Sequence, residues 1–328
     1  MKNIKHEILK AFHEHPGEFI SGEALSQICN CTRTAVWKHI EELRQEGYRF
    51  DAVRKAGYRM LAAPDSLSEE AIQTGLQTRI IGQKIYAHDE VISTQLLAHE
   101  VASKGAPEGT IVIAEKQNGG KGRLGRAWHS PKGTGIWMSL IVRPSIPLSK
   151  APQLTLLTAV ALAKAIQLHT GVSVQIKWPN DLLYHGKKFC GILTELNAES
   201  DRINYLVIGV GINVNTVESD FPADLREIAT SLRIASGDEI KRAALLQTFC
   251  QEFEAEYLHY LAHGFEQTKL AWEDRSISLG RMVTVRTIHT TIEGKSIGLD
   301  PEGVLIVEDR SGIRHKVYSA DIEYGAER

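Results

Sequence analysis

The sequence predicts an α+β multidomain protein. A helical N-terminal unit closes in a small hairpin, a central domain is built on a mixed sheet, and a small β-barrel ends the chain. Three observations carry this. The 328 residues exceed the roughly 100–200 of an ordinary single-core domain. After the N-terminal unit, strand-like segments follow one another across short turns instead of alternating with helices. Beyond residue 280, short apolar segments are separated by glycine turns. Pro64-Asp65-Ser66 punctuates the chain, and the expected domains are 1–63, 64–273 and 274–328.

In the N-terminal unit, Ser21 can cap a helix with Ala24, Leu25 and Ile28 on one face and Glu23 in its first turn. After a short break, Thr32 or Thr34 can cap a second helix that buries Val36, Ile40 and Leu43 at i, i+4 and i+7. This is the spacing of a helix-turn-helix. The second helix opens with Thr32, Arg33, Thr34 and then Lys38, hydroxyls and cations suited to phosphates and base edges. Tyr48 to Leu61 alternates around Arg54-Lys55-Ala56-Gly57, which predicts a hairpin with a basic tip, a wing. Either element alone could be a solvated surface; together they point to DNA. Glu41, Glu42 and Glu46 limit contact to the first half of the helix.

Further along, helical pattern covers Asp65 to Leu76 and Thr94 to Ser103, around a strand at Lys84 to His88. Ile111 to Ala114 and Ile136 to Val142 read as buried strands flanking a glycine-rich stretch. A helix is expected over Pro152 to Thr170, then strands at Val172 to Lys177, Leu182 to Tyr184, Phe189 to Leu196 and Tyr205 to Val214. Glu239 to Trp272 is helical with a break at His263-Gly264, and Met282 to Val285, Ser296 to Leu299, Val304 to Glu308 and Arg314 to Tyr318 are short strands.

Composition narrows the function. With 43% hydrophobic and 24% charged residues the chain is a folded globular protein. A net charge of −2 excludes a general nucleic-acid coat, so any DNA contact must be a local patch. Cys29, Cys31, Cys190 and Cys250 lack zinc-ligand spacing and read as free thiols, and no metal site is expected. No secretory signal is recognised, and the longest apolar stretch, Leu154 to Leu168, is interrupted by Thr155, Thr158, Lys164 and Gln167. It reads as a buried helix; a cytoplasmic protein without a membrane span is expected.

Gly120-Lys121-Gly122-Arg123-Leu124-Gly125 matches the G-x-G-x-x-G of dinucleotide-binding turns, but Pro131, Gly133 and Gly135 forbid the helix that motif needs. A kinase glycine loop is excluded because no H-R-D or D-F-G follows. What remains is a pliable loop carrying Lys121, Arg123 and Arg126, with Trp128 embedded after it: an anion clamp. A second cluster, Lys177-Trp178-Pro179-Asn180-Asp181, lies at a strand end; Lys188 follows across a His185-Gly186 hairpin, and two lysines on adjacent strands would reach one region.

With both clusters in place the chain resembles the biotin protein ligases, and within them the bifunctional kind that also represses the biotin operon. The matching pieces are Gly119 to Trp128, Lys177 to Asp181, Lys187-Lys188 through Gly191-Ile192-Leu193, and Ile208 to Asn215, in that order, over nearly the whole chain. The resemblance implies a class II synthetase-like central domain and an SH3-like C-terminal barrel. It implies biotin held by Ser93, Thr94, Gln117, Gly120, Lys121, Arg123, Lys188 and Gly191. It implies ATP or the adenylate held by Arg123, Arg126, Trp128, Lys177, Asn180, Asp181, Lys188 and Asn213, with Mg²⁺, and it makes Arg123 and Lys188 the catalytic pair. The implied partners are the acceptor lysine of a biotin carboxyl carrier protein, operator DNA, and a second copy of the chain in an adenylate-promoted homodimer. The family often has arginine where this chain has Lys121 and Leu124; Lys121 keeps the charge and Leu124 does not. Two other readings stand beside it: a ligase of the same fold that activates lipoate or a related acid, and a transcription factor that merely senses a small molecule.

Overall fold

The computed structural model describes residues 4–200, 202–286, 290–318 and 320–324. Its backbone contacts divide it into two units, 1–77 with 241–247, and 78–240 with 248–328.

The first unit begins with α1 (Ile4–Glu14), α2 (Gly22–Ile28) and α3 (Arg33–Gln45). Ser21 caps α2 through the amide of Ala24, and Thr32, not Thr34, caps α3 through the amide of Ala35. α3 buries Val36, Ile40 and Leu43 as its periodicity requires, against Ile8, Leu9 and Phe12 of α1. The expected common face of α2 is narrower: Leu25 is buried, whereas Ile28 is 45% exposed because it sits in the last turn beyond the core. β1 (Arg49–Val53) and β2 (Gly57–Ala62) form the predicted hairpin, with Arg54 and Lys55 exposed at its tip. At its base Ile20 and Tyr58 exchange backbone hydrogen bonds of 2.8 and 2.9 Å. A Cβ on Gly57, at φ +106°, would stand 2.1 Å from the Ile20 carbonyl oxygen, so only glycine permits that approach. The helix expected over Asp65 to Leu76 is reduced to α4 (Glu69–Gln73). Asp65 instead turns to the 241–247 segment, where its carboxylate meets the buried Arg242 guanidinium at 2.7 Å.

The second unit is built on a seven-stranded sheet. In chain order it contains β3 (Ile85–Val91), α5 (Thr94–Ser103), β4 (Ile111–Gln117), β5 (Gly135–Val142) and α6 (Ala151–Thr170). Then come β6 (Gln175–Lys177), β7 (Asp181–Tyr184), β8 (Lys187–Glu199) and β9 (Arg202–Asn213). The strand order is β3-β4-β5-β9-β8-β7-β6; β3 and β4 run parallel and every other neighbour is antiparallel, the mixed sheet the strand succession predicted. β5 is buried at every position, as a central strand covered on both faces must be. α6 is long and apolar enough to cross a bilayer, yet Leu154, Leu157, Val160, Leu162 and Ile166 are buried within the protein, so it is a core helix.

α7 (Leu232–Ser236) is short and was not foreseen. The long helical region breaks where glycine was expected to break it, into α8 (Arg242–His263) and α9 (Glu266–Arg275), with Gly264 at φ +85°. The tail is one five-stranded antiparallel sheet in the order β13-β12-β11-β10-β14. Its strands are β10 (Met282–Arg286), β11 (Thr291–Leu299), β12 (Leu305–Asp309), β13 (Arg314–Val317) and β14 (Asp321–Tyr324). β14 went unseen in the sequence because two of its four residues are acidic.

Glu254 of α8 accepts hydrogen bonds from the amides of Arg79, Ile80 and Ile81 at 2.8, 2.7 and 2.9 Å, and is only 9% exposed. Glu254→Ala strands those donors and should cost roughly 3 kcal/mol, with Glu254→Gln costing less. The midpoint of urea unfolding checks this, and an unmoved midpoint in the alanine variant would refute it.

Candidate active site

A cavity of about 490 Å³ opens over the sheet where β8 and β9 meet the glycine-rich segment. Among the sequence-selected residues, Ser93, Thr94, Gln117, Lys121, Arg123, Arg126, Trp128, Lys177, Asn180, Asp181, Lys188, Gly191 and Asn213 line it. Gly120 does not. A Cβ there would stand 2.9 to 3.0 Å from Ser130 Oγ, Gln117 Nε2 and the Trp128 carbonyl, so Gly120 is packed beneath the loop.

The glycine segment is itself a hairpin. Lys121 bridges Ala127, the Gly122 amide donates to the Arg126 carbonyl at 2.8 Å, and the Trp128 amide donates to the Gly120 carbonyl at 2.9 Å. Arg123 to Gly125 form the 3-10 turn at its tip, with Leu124 at φ 57° and 74% exposed. Leu124 is therefore not among the cavity-lining residues, and Lys121, Arg123 and Arg126 are the cations that face it. This hairpin is why a G-x-G-x-x-G can precede a strand.

Trp128 lies on the sheet. A Cβ on Gly211 would stand 2.4 Å from its Nε1, and one on Gly191 would stand 3.2 Å from its Cζ3. Its indole nitrogen is buried without a hydrogen-bond partner, and the Lys188 ammonium stands 5.1 Å from the centre of the ring. Lys188 is held in turn by Asp181 at 2.7 Å. The two lysines are not on adjacent strands: β7 lies between Lys177 on β6 and Lys188 on β8, and both still line the same space. The Trp178–Pro179 peptide is cis, with Trp178 buried beneath the turn. Asn180 donates to the Ile192 carbonyl at 2.8 Å and accepts from Arg123 at 3.3 Å, joining the second cluster to the loop. Asn213 is fixed by donating to the Thr230 carbonyl at 3.1 Å.

The other end of the cavity carries a polar chain that sequence reasoning saw only in part. The amide and hydroxyl of Thr94 lie 2.9 and 3.1 Å from Gln117 Oε1. Gln117 Nε2 donates to Ser130 at 3.1 Å, and Ser130 donates to the Trp128 carbonyl at 3.1 Å. Ser139 lies 3.0 Å from the Thr94 hydroxyl and donates to Gln95 at 2.9 Å. Gln95, Ser130 and Ser139 were missed; the strand alternation that places Ser139 inward was the one available signal. The Ser93 hydroxyl starts α5 without capping it and faces the cavity. Phe221, Leu225, Ile228 and Ala229, from the segment after β9, also line it.

Among the described residues no group of three metal-ligating side chains occurs. Burial pushes the Cys190 thiol well above its ordinary value, which leaves it protonated and unfit as a nucleophile. The chemistry on offer is recognition of a neutral polar group at the Thr94–Gln117 end and of phosphates at the cationic end.

The helix-turn-helix surface keeps its named residues in the open. Thr34 and Lys38 are exposed on the first half of α3, and Thr32 is used as its cap. Arg33 is ion-paired with Glu23 on α2.

Fold and cavity together define an anion-binding enzyme fused to a helix-turn-helix. Three family models match in chain order: an HTH domain over residues 5–59, the biotin/lipoate A/B protein ligase family over 89–213, and the biotin protein ligase C-terminal domain over 278–325. The bifunctional ligase/repressor BirA of Bacillus subtilis is 51% identical over 98% of this chain and 99% of its own length. The Escherichia coli protein of that name is 29% identical over 89% of each. A biotin protein ligase from Aquifex aeolicus, solved in complex with biotin and ATP, has a TM-score of 0.64 at 26% identity, covering 74% of this chain and 99% of that one. The chain belongs to the biotin protein ligase family, in its bifunctional ligase/repressor branch.

Gly211→Ala puts a methyl group where the Trp128 indole lies. Such overpacking costs about 1–3 kcal/mol, so tryptic cleavage after Lys121, Arg123 or Arg126 should quicken roughly tenfold in native protein. Unchanged cleavage would mean that Trp128 does not pin the loop.

Proposed function

We propose that this protein activates biotin with ATP to give biotinyl-5′-AMP, transfers the biotinyl group to a lysine of biotin carboxyl carrier protein, and represses a biotin operator when charged with the adenylate. The observation that carries the reading is the single cavity with a neutral hydrogen-bonding end and a cationic end, in a chain of this family.

In the first step a biotin carboxylate oxygen attacks the α-phosphorus of ATP; the acyl–phosphate bond forms and pyrophosphate leaves with its electron pair. Both reactants are anions, so charge neutralisation is the main work. Arg123 and Lys188 are the proposed catalytic pair at the reacting oxygens, with Lys121 beside the carboxylate and Arg126 at the departing phosphates. Asp181 keeps the ammonium of Lys188 oriented. Ser93, Thr94 and Gln117 take the ureido end, Gly120 holds the loop backbone down, and Gly191 keeps the floor low. Trp128 and Asn213 border the nucleotide; Lys177, Asn180 and Asp181 order its phosphate side. In the second step the acceptor amine attacks the acyl carbon, AMP departs, and the amine loses a proton as the amide forms. The closed loop keeps water from the anhydride between the steps.

Mg²⁺ fits as an ion brought in on the nucleotide: Asp181 is the carboxylate beside Lys188, and Mg²⁺ commonly rests on one or two carboxylates plus substrate phosphates. When bound it supplies further neutralisation of the phosphates. We place the domain boundaries at residues 64 and 274, with a class II synthetase-like centre and an SH3-like tail that helps hold ATP or the acceptor. The protein works in the cytoplasm. The adenylate-ordered loop favours a homodimer that reads a two-part operator through paired winged helices, using Thr32, Arg33, Thr34, Lys38, Arg54 and Lys55.

Pyrophosphate exchange into ATP should require biotin and should not be supported by lipoate; exchange without biotin, or with lipoate alone, would overturn the assignment. Arg123→Gly should release biotinyl-AMP into solution at least tenfold faster than the parent, read by chromatography of the filtrate. Equal release would remove Arg123 from the anchor role.

A further inference from the structure

Outside the cavity, the second helix of the helix-turn-helix leaves a large aromatic side chain in the open. Along α3 the core takes Val36, Ile40 and Leu43, and the opposite face exposes Arg33, Thr34, Trp37 and Lys38 within little more than one turn. Trp37 is 55% exposed. An indole is among the costliest side chains to leave in water, and this one stands beside Lys38 and one turn from the Glu23-paired Arg33, on the half of the helix that its own glutamates do not occupy.

We infer that Trp37 is a specificity-determining residue of the DNA surface and that it reads thymine in the major groove. This rests on the proposal that the unit binds an operator. The argument is one of complementary groups. The indole offers an apolar ring edge and one N–H donor, and it has no acceptor. Thymine is the base that presents both a methyl group and an acceptor, O4, in the major groove. Adenine and cytosine present amino donors that the indole cannot satisfy, and guanine presents acceptors without a methyl. Lys38 and the wing residues Arg54 and Lys55 carry the charge that would hold phosphates, while Arg33 is paired with Glu23, so the neighbouring surface matches DNA and the occupant is not another apolar protein face.

The full-length protein with biotin, ATP and Mg²⁺ is used to enrich duplexes from a random pool, and each thymine of the enriched site is then replaced by deoxyuridine, which removes the methyl alone. At one thymine per half-site the parent should lose about fivefold in affinity. Trp37→Ala should lose roughly tenfold on the intact duplex and be indifferent to deoxyuridine at that thymine, while Trp37→Phe should stay sensitive to it. Because no core residue is touched, biotin-dependent pyrophosphate exchange and the far-ultraviolet dichroism of both variants should match the parent. The salt dependence of DNA binding should also be unchanged by Trp37→Ala, whereas Lys38→Ala should flatten it by about one unit of slope. Parent-like affinity in Trp37→Ala, or persistent sensitivity of that variant to the missing methyl, overturns the inference. An enriched site with no thymine in reach of α3 does the same. Failure of the parent to enrich any duplex would instead refute DNA binding itself.

Discussion

The contact between Trp128 and the two glycine-floored strands organises the candidate site. A cation-bearing loop has no reason to stay over a sheet, since its charges repel one another and its backbone is pliable. The indole supplies the reason: Gly191 and Gly211 leave a flat floor for the ring, a Cβ on Gly211 would run into it at 2.4 Å, and one on Gly191 would crowd its edge at 3.2 Å. Lys188 then lies over the ring and against Asp181, so the same aromatic surface that anchors the loop also places a cation from the sheet. The buried, unpartnered indole nitrogen shows the cost of this arrangement and marks it as a resting place that a hydrogen-bonding ligand could improve.

The loop is tied down at its other end through polar groups. Gln117 is oriented by Thr94 on its carbonyl side, so its amino group must face Ser130, and Ser130 passes the connection to the backbone of Trp128. A hydrogen bond made to Gln117 would therefore be felt in the loop that carries Lys121, Arg123 and Arg126. Three hydrogen bonds between groups only partly open to solvent thus join the Thr94–Gln117 end of the cavity to the loop.

Much of the architecture was legible because periodicity is a local property. α3 and α5, the break at Gly264 and the strands β4, β5, β8 and β9 follow directly from spacing and turn residues. What escaped notice depends on tertiary context. The linker 65–76 looks helical throughout, but Asp65 is spent on Arg242 and only one turn forms. Ile28 has the right spacing and no core to meet. The cations of the site were visible as motifs, whereas Gln95, Ser130 and Ser139 are polar residues of no special spacing that matter only because the fold brings them to one floor.

The chain carries two surfaces for anions while its net charge is −2, and they achieve this differently. In the ligase unit Lys121, Arg123, Arg126, Lys177 and Lys188 line one concave space, where low dielectric and converging field lines make each charge effective. On the helix-turn-helix the cations lie on an open convex surface, and Arg33 is already engaged by Glu23. Salt screens such exposed charges beyond about 10 Å, so of the two surfaces this one is the more sensitive to ionic strength. Linking two weakly binding modules multiplies affinity by orders of magnitude, so a surface of this kind gains most from being presented twice, as the homodimer proposed above would present it.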